Sequence, residues 1–289
     1  MKFSPFLILI IFFLSGCQSK TDSGKDIISV SILPQKYLAE KIAGNKYQVN
    51  VLVPPGVSPE TYELSPLQMK LLADSRVYFI TGHLTFEQTW KEKFKGMNRQ
   101  VRFTDLSEGI DLISSNHAHD DHYHSDVDPH VWISPKTFKI MAENMYKTFR
   151  EIDPESQELY DVGYQKLLEE ISSADSILSN LFSQPGKKAF LIFHPALGYL
   201  ARDYGLEQIP VEFEGKSPPP AYIQNIINIS RENNISTILI QKEFSVDNAR
   251  AIAREINGDI IQIDPLDEDW YEQILFIGNT LNQIFNKKL

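Results

Sequence analysis

The sequence predicts an α/β protein with two lobes, each a mainly parallel sheet flanked by helices. Short β-branched runs alternate along the chain with helix-length amphipathic segments, which is the pattern of βα units around a parallel sheet. The 289 residues allow two domains at roughly 100–200 residues each. A long segment with helical spacing separates the two groups of strands, so we expect one helix to join the lobes.

The first half contains four strand candidates and one clearly delimited helix. The helix begins at Pro34 and ends at Gly44, and helices favour proline at their start and glycine just past their end. The predicted strands cover residues 27–33, 47–53, 76–80 and 101–104.

The second half repeats this organisation with short apolar runs such as AFLIF and TILIQ, as expected for strands covered by helices on both faces. Between the halves, Asp153 is suited to cap a helix and Pro154 to occupy its first position. Apolar residues then recur at helical spacing as far as residue 182. Such a helix is about 40 Å long at 1.5 Å per residue, which is enough to cross between lobes. The predicted strands cover residues 188–193, 208–213, 237–241 and 260–263.

The first residues predict export and a lipid anchor. Lys2 precedes the apolar run FLILIIFFL, which is too short to span a bilayer, and small residues lie just before Cys17. The sequence LSGC resembles the lipobox of bacterial lipoproteins, in which the cysteine becomes the lipid-modified first residue. We therefore expect a polar, flexible tether after Cys17 and a protein anchored outside the cytoplasm, in the periplasm or at the cell surface.

Charge and cysteine content exclude several classes of protein. The chain has 28 Lys and Arg against 38 Asp and Glu, a formal net charge of -10. Nucleic-acid binding depends on clustered basic charge, so we expect no nucleic-acid partner, whereas an acidic balance suits a cation. The single cysteine excludes an internal disulfide, a cysteine zinc finger and a CxxC redox site.

A histidine-rich segment, HAHDDHYHSDVDPH, interleaves imidazoles with aspartates. Imidazole and carboxylate are the ligands of zinc and its neighbours in the transition series. The segment has almost no apolar content, so we expect a surface loop. These residues alone leave open whether the loop is the main metal site, an accessory site or a solvated linker. Its clustered histidines are His117, His119, His122 and His124.

Four further ligand-type residues stand where a rigid site could form. His194 follows the strand AFLIF, and Asp264 follows the strand IIQI. Glu60 lies in the loop after the strand VNVLV, and His130 lies in the sequence DPHVW. Ligands of open α/β sheets bind beyond the carboxyl ends of the strands. Each residue alone has a structural alternative, such as a turn or a cap. Two candidates from each half together predict a metal site.

The motifs around these residues resemble the zinc-binding proteins of bacterial ABC importers. The resemblance covers nearly the whole mature chain, including the histidine-rich loop ahead of DPHVW. It is carried by the stretches SILPQ, VLVPPGVSPETYELSPLQM, DPHVWISP, FHPALGYLARDYGL and IDPLDEDW. The resemblance implies two lobes joined by one long rigid helix and one metal ion in the cleft between them. The ligand positions carry over onto Glu60, His130, His194 and Asp264.

This reading divides the chain into a signal peptide, a lipidated tether, two α/β lobes and a linking helix. The first lobe includes the histidine-rich loop, at residues 115–127. The expected bounds are 1–16 for the signal peptide, 17–25 for the tether, 26–152 and 184–289 for the lobes, and 153–183 for the helix.

One ligand position departs from the family pattern. The first loop of the family reads S-P-H-x-Y-E, and this chain has Glu60 where histidine is expected. A carboxylate still binds zinc, but two imidazoles with two carboxylates form a harder set, which shifts selectivity toward Mn²⁺ or Fe²⁺. Glu243, after the strand TILIQ, and His83, in Thr81-Gly82-His83, are further candidates for completing the site.

The resemblance implies a monomeric receptor that captures one zinc ion at a tight site and delivers it to an ABC permease. A manganese or iron receptor of the same family is the first alternative. A metallohydrolase is the second, but the chain has no HExxH motif and no evident general base beside an open coordination position, so we expect no enzyme. A metal-dependent surface adhesin is the third, and lipidation permits it although no motif indicates it.

Overall fold

The computed structural model describes residues 26–97, 100–114, 127–186, 188–212 and 218–286. The expected signal peptide, Cys17 with its tether, and the histidines at 117, 119, 122 and 124 lie outside these ranges. The helices within the described ranges are all too short or too polar to cross a membrane.

The first lobe is a four-stranded parallel sheet in the order β2-β1-β3-β4. Gly44 has a φ of 58° and ends the first helix, as the sequence predicted. The elements are β1 (Ile27–Val30), α1 (Leu33–Ala43), β2 (Gln48–Val51), α2 (Pro66–Ala73), β3 (Val77–Ile80), α3 (Thr85–Met97) and β4 (Arg102–Asp105). A 3₁₀ turn (Val131–Ile133) and α4 (Pro135–Ile152) follow the histidine-rich segment, and the side chain of Ser134 caps α4.

The second lobe is a four-stranded parallel sheet with the same topology, in the order β6-β5-β7-β8. Its elements are β5 (Lys188–Ile192), α6 (Gly198–Tyr204), β6 (Leu206–Pro210), α7 (Pro220–Glu232), β7 (Thr237–Gln241), α8 (Val246–Glu255), β8 (Asp259–Ile263) and α9 (Trp270–Asn286). The long helix α5 (Gln157–Phe182) joins the two sheets. The predicted two-lobed α/β fold is therefore confirmed.

Two local predictions were wrong. Strand β6 begins at Leu206 and ends at Pro210, earlier than the predicted range 208–213. Helix α5 begins at Gln157, after a 3₁₀ turn, and Asp153 does not cap it. The carboxylate of Asp153 instead accepts hydrogen bonds from Lys46 Nζ at 2.8 Å and from Tyr160 Oη at 2.7 Å. These longer-range partners compete for the capping carboxylate, and sequence spacing does not show them.

Helix α5 packs against α1 and α4 of the first lobe and against α9 of the second. Buried residues from both lobes form one continuous apolar core around it, for example Leu38, Leu178 and Leu281. A second, smaller core covers the other face of the second sheet, around Ile238 and Ile252. The linking helix is therefore part of the core that both lobes share.

A close approach of α5 to the main chain of α1 predicts a large effect of a small substitution. A Cβ atom on Gly163 would lie 2.3 Å from the carbonyl oxygen of Ile42 and 2.6 Å from that of Lys41. At an ordinary helical position, replacing glycine by alanine stabilises by about 1 kcal/mol. Here the methyl group overlaps main-chain atoms of α1, so we expect Gly163→Ala to lower the free energy of unfolding by about 1–3 kcal/mol. Urea denaturation measures this, with Ser172→Ala on the exposed face of α5 as the control. A Gly163→Ala protein as stable as the control would contradict the close crossing.

Candidate metal centre

Three of the four ligands expected from the resemblance meet in the cleft. His194 lies just beyond the end of β5, Glu60 lies in the loop after β2, and His130 precedes the 3₁₀ turn. His194 Nε2 is 3.3 Å from His130 Nε2 and 3.1 Å from Glu60 Oε1. One potential ligand atom from each residue lies within 4.8 Å of the others. These separations allow one small cation to contact all three side chains.

Each histidine is oriented by a carboxylate on its other ring nitrogen. His130 Nδ1 lies 2.8 Å from Asp128 Oδ1, and His194 Nδ1 lies 2.6 Å from Glu212 Oε1. Such partners fix the ring and favour the tautomer whose Nε2 lone pair is available to a metal. Both histidines are buried, with exposed fractions of 6% and 8%. The rings are therefore held with their Nε2 atoms facing a common point.

The orienting carboxylates were not among the predicted site residues. Glu212 is only 9% exposed and follows β6, so it reaches the same sheet edge as His194. The strand-end argument that identified His194 would have included Glu212 if β6 had been placed correctly. Asp128 belongs to the DPHVW motif itself, two residues before His130.

The protonation of His194 reflects these carboxylates. Burial lowers the pKa of His194, but the hydrogen bonds with Glu212 and Glu60 outweigh it and raise the pKa to about 10. In the metal-free protein the ring is therefore protonated at neutral pH, and its positive charge lies between two carboxylates. A bound divalent cation would take the place of this proton, because a coordinating imidazole is neutral.

Glu243 lies at the same cavity as the two histidines and Glu60. The cavity has a volume of about 20 Å³, which accommodates a single ion, and Trp132, Phe244 and Leu266 form much of its apolar wall. Glu243 Oε1 is buried and has no hydrogen-bond partner among the described residues. Burial also raises the pKa of this carboxyl group. A buried oxygen without a partner is costly, and a cation in the cavity would satisfy it.

Asp264 and His83 are placed differently. Asp264 Oδ2 accepts a hydrogen bond from Lys242 Nζ at 2.9 Å, and its Oδ1 accepts one from the main-chain N–H of Leu266 at 3.1 Å. His83 follows β3 and is partly buried. Within the described ranges, Asp264, His83 and Glu243 all lie outside the group formed by Glu60 and the two histidines, but of the three only Glu243 lines the cavity. Glu243 is therefore a candidate for the fourth protein ligand because it lines the cavity with an unpartnered oxygen, whereas Asp264, at the position that the resemblance implies, is paired with Lys242.

A pair of isosteric substitutions distinguishes the two carboxylates. We expect Glu243→Gln to weaken divalent-metal binding by about tenfold or more, because a neutral amide oxygen replaces a charged donor. We expect Asp264→Asn to change the affinity by less than about threefold, since its carboxylate is paired with Lys242. Isothermal titration of both variants measures this. The reverse order of effects would make Asp264 the ligand.

Two α/β lobes that meet at two buried imidazoles and a partly buried carboxylate define a metal-binding receptor of the solute-binding class. The chain belongs to the family described as zinc-uptake complex component A, periplasmic, which matches residues 28–283. The predicted membership of a zinc-binding family of ABC importer receptors is thereby confirmed.

Relatives and solved structures agree with this assignment. The putative metal-binding protein of Chlamydia trachomatis serovar D is 30% identical over 94% of this chain and 97% of its own. The high-affinity zinc uptake system protein ZnuA of Bacillus subtilis is 26% identical over 84% of this chain and 80% of its own. A crystal structure of ZnuA is 33% identical with a TM-score of 0.84, covering 91% of this chain and all (100%) of that chain. The periplasmic zinc-binding protein TroA of Treponema pallidum has the same fold, with 17% identity and a TM-score of 0.81 over 91% of this chain and 100% of that chain.

Proposed function

We propose that this protein is an extracytoplasmic receptor that captures one zinc ion between its lobes and delivers it to an ABC permease. The observation that carries the proposal is the convergence of His130, His194 and Glu60 within 4.8 Å. The family, and the ZnuA structures, among them a zinc-bound deletion mutant 32% identical to this chain, support it.

The chemistry of the donors supports zinc in particular. Zinc in proteins is bound mostly in tetrahedral sites, and imidazole nitrogens and carboxylate oxygens are among its usual ligands. Two imidazoles with Glu60 and Glu243 supply four such donors around a cavity of about 20 Å³. The apolar wall of this cavity leaves little space for the several water molecules that magnesium usually retains.

Manganese or iron is the second candidate for the cargo. Glu60 provides a carboxylate where the family pattern has an imidazole, and harder oxygen donors improve the relative binding of Mn²⁺ and Fe²⁺. The iron-binding protein YfeA of Yersinia pestis is 27% identical over 79% of this chain and 74% of its own. Zinc nevertheless retains the advantage in intrinsic affinity over both ions.

Elemental analysis of protein purified without added metal tests the proposal. We expect one zinc per chain, and we expect Zn²⁺ to displace Mn²⁺ in a competition titration. Retention of Mn²⁺ or Fe²⁺ against an equal concentration of Zn²⁺ would support the second candidate. Protein that binds none of these ions would contradict both.

The lipid anchor is a separate part of the proposal and rests on the LSGC sequence. We expect Cys17→Ser to give a protein without fatty-acid label that is released from the membrane, since the modified atom is the cysteine sulfur. Its zinc affinity should equal that of wild type, because the described fold begins beyond the tether. Fractionation and metabolic lipid labelling measure the first effect and titration the second, with Ser19→Ala as a matched control. A membrane-bound, labelled Cys17→Ser protein would contradict the anchor.

A further inference from the structure

We infer that His130 is held by contacts with the second lobe, so that both histidines form one preassembled body and Glu60 is the ligand that withdraws when the site opens. This inference rests on the proposed function, because it concerns how the same site releases its metal. It assigns Tyr199 as a positioning residue for His130. The inference depends on two segments: the His130 segment, residues 128–136, and the Glu60 loop, residues 54–64.

The start of the His130 segment is bound to helix α6 of the second lobe. Tyr199 Oη donates a hydrogen bond to the carbonyl oxygen of Asp128 at 2.8 Å and accepts one from the N–H of Ile113 at 3.2 Å. The Asp128 carboxylate lies against Gly198, where a Cβ atom would be only 2.4 Å from Oδ2. The same carboxylate accepts from the N–H of His130 at 2.9 Å and contacts its Nδ1. Helix α6 therefore positions the group that orients the His130 ring.

The middle of the segment is bound to the loop after β8. Trp132 Nε1 donates to the carbonyl oxygen of Pro265 at 2.8 Å, and Trp270 Nε1 donates to the carbonyl oxygen of Trp132 at 2.7 Å. Both indoles are almost completely buried. The Trp270 ring also stacks on Phe138 of α4, with ring centroids 3.9 Å apart. These two hydrogen bonds join the backbone near His130 to the loop after β8 and to the start of α9 in the second lobe.

The end of the segment makes a third connection. Ser134 Oγ donates to the Asp203 carboxylate, and Lys136 Nζ donates to the Asp203 carbonyl oxygen at 2.9 Å. Asp203 lies on α6, the helix that begins four residues after His194. One short helix thus contacts both ends of the His130 segment and follows directly from the other histidine.

The Glu60 loop is bonded back to its own lobe. The N–H of Val57 donates to the carbonyl oxygen of Pro54 at 3.3 Å, and Tyr62 Oη donates to Gln68 of α2. The N–H of Glu60 donates to Ser58 Oγ at 3.3 Å. Across the cleft, the Glu60 carboxylate contacts His194. Displacement of this loop would therefore break the Glu60–His194 contact and remove Glu60 from the metal, while the bonds that join the His130 segment to the second lobe stay in place.

Separation of the two histidines would cost more free energy than displacement of the Glu60 loop. Separating the two histidines would break the bonds of Tyr199, Trp132 and Trp270 and would expose the apolar core that both lobes share. Opening at the Glu60 loop disturbs that core only where Val57, Tyr62 and Leu64 contact it. Loss of one carboxylate leaves the metal on a weaker set of neutral imidazoles and Glu243, from which a permease could accept it.

The rate of zinc release tests the positioning role of Tyr199. We expect Tyr199→Phe to raise the zinc dissociation rate by about threefold to tenfold, because the hydroxyl that holds the Asp128 carbonyl is lost while the ring remains. Tyr204→Phe is the matched control: it lies on the same helix and loses a hydroxyl bond to Asp175, 2.7 Å long, while it keeps the ring that lies beside Lys136 of the His130 segment. Stopped-flow mixing of zinc-loaded protein with a chelator measures the rates, and thermal unfolding measures the stability of each variant.

Equal dissociation rates in Tyr199→Phe and Tyr204→Phe would overturn the positioning role, whatever the change in melting temperature. X-ray absorption of zinc-loaded Glu60→Gln provides an independent test. Two imidazoles should remain bound in that variant, and the loss of one would show that the histidines do not form a preassembled pair. A failure of the proposed function would give different results. The wild-type protein would then bind no zinc, or His194→Ala would bind zinc as tightly as the wild-type protein does. Such a failure would overturn this inference as well.

Discussion

Replacing His194 by alanine is expected to abolish tight zinc binding, with a loss of affinity greater than about a hundredfold. Mutation of a residue that only orients a metal ligand costs about 10–100-fold, and His194 is itself a proposed ligand. It is also the central residue of the group, since its Nε2 lies close to both Glu60 and His130. Isothermal titration, with circular dichroism as a check of folding, measures the effect. His130→Ala should show a loss of similar size.

Two controls make this prediction specific. His83→Ala removes a partly buried histidine outside the group and should retain the affinity of wild type. Deletion of residues 117–124 should leave the tight site nearly intact and remove only weaker, additional binding. If the deletion and His194→Ala caused equal losses, the histidine-rich loop would be the primary site. If His83→Ala alone lost binding, His83 would supply the missing imidazole of the family pattern.

Replacing Glu60 by glutamine is expected to weaken zinc binding by about tenfold or more, which corresponds to at least about 1.4 kcal/mol. Glutamine has nearly the same size but offers a neutral oxygen in place of a charged one. It also removes a charge that lies 3.1 Å from His194 Nε2. Glu63→Gln, an exposed carboxylate of the same loop, is the matched control and should bind like wild type. A Glu60→Gln isotherm identical to that of wild type would remove Glu60 from the ligands.

Replacing Glu60 by histidine should change selectivity. The substitution restores the imidazole of the family pattern and makes the donor set softer, so the ratio of zinc to manganese affinity should rise. Competition titration of the wild-type and Glu60→His proteins with both ions measures the ratio. A ratio that falls would show that the residue at position 60 does not select the metal through direct coordination.

The sequence determined the architecture and the general location of the site. Apolar runs bounded by turn residues located the strands of both sheets, although β6 was placed a few residues too late, because a buried parallel strand needs a short continuous apolar segment. The positions of His194 and Glu60 after such runs placed them at the carboxyl edges of the sheets, where the geometry of an open α/β fold forms its cleft. Export and lipidation are likewise sequence predictions, which lie outside the described structure.

Only the tertiary structure decided which side chains face the cavity. Asp264 and Glu243 both follow strands of the second sheet, and sequence spacing does not distinguish them. In the fold, Lys242 pairs with Asp264, whereas the Glu243 carboxylate is buried at the cavity without a partner for Oε1 among the described residues. Beyond a strand, the direction of a side chain depends on the loop and on charges that are distant in sequence. For the same physical reason, the sequence did not predict that Glu212 orients His194, nor the hydrogen bonds that join the His130 segment to the second lobe.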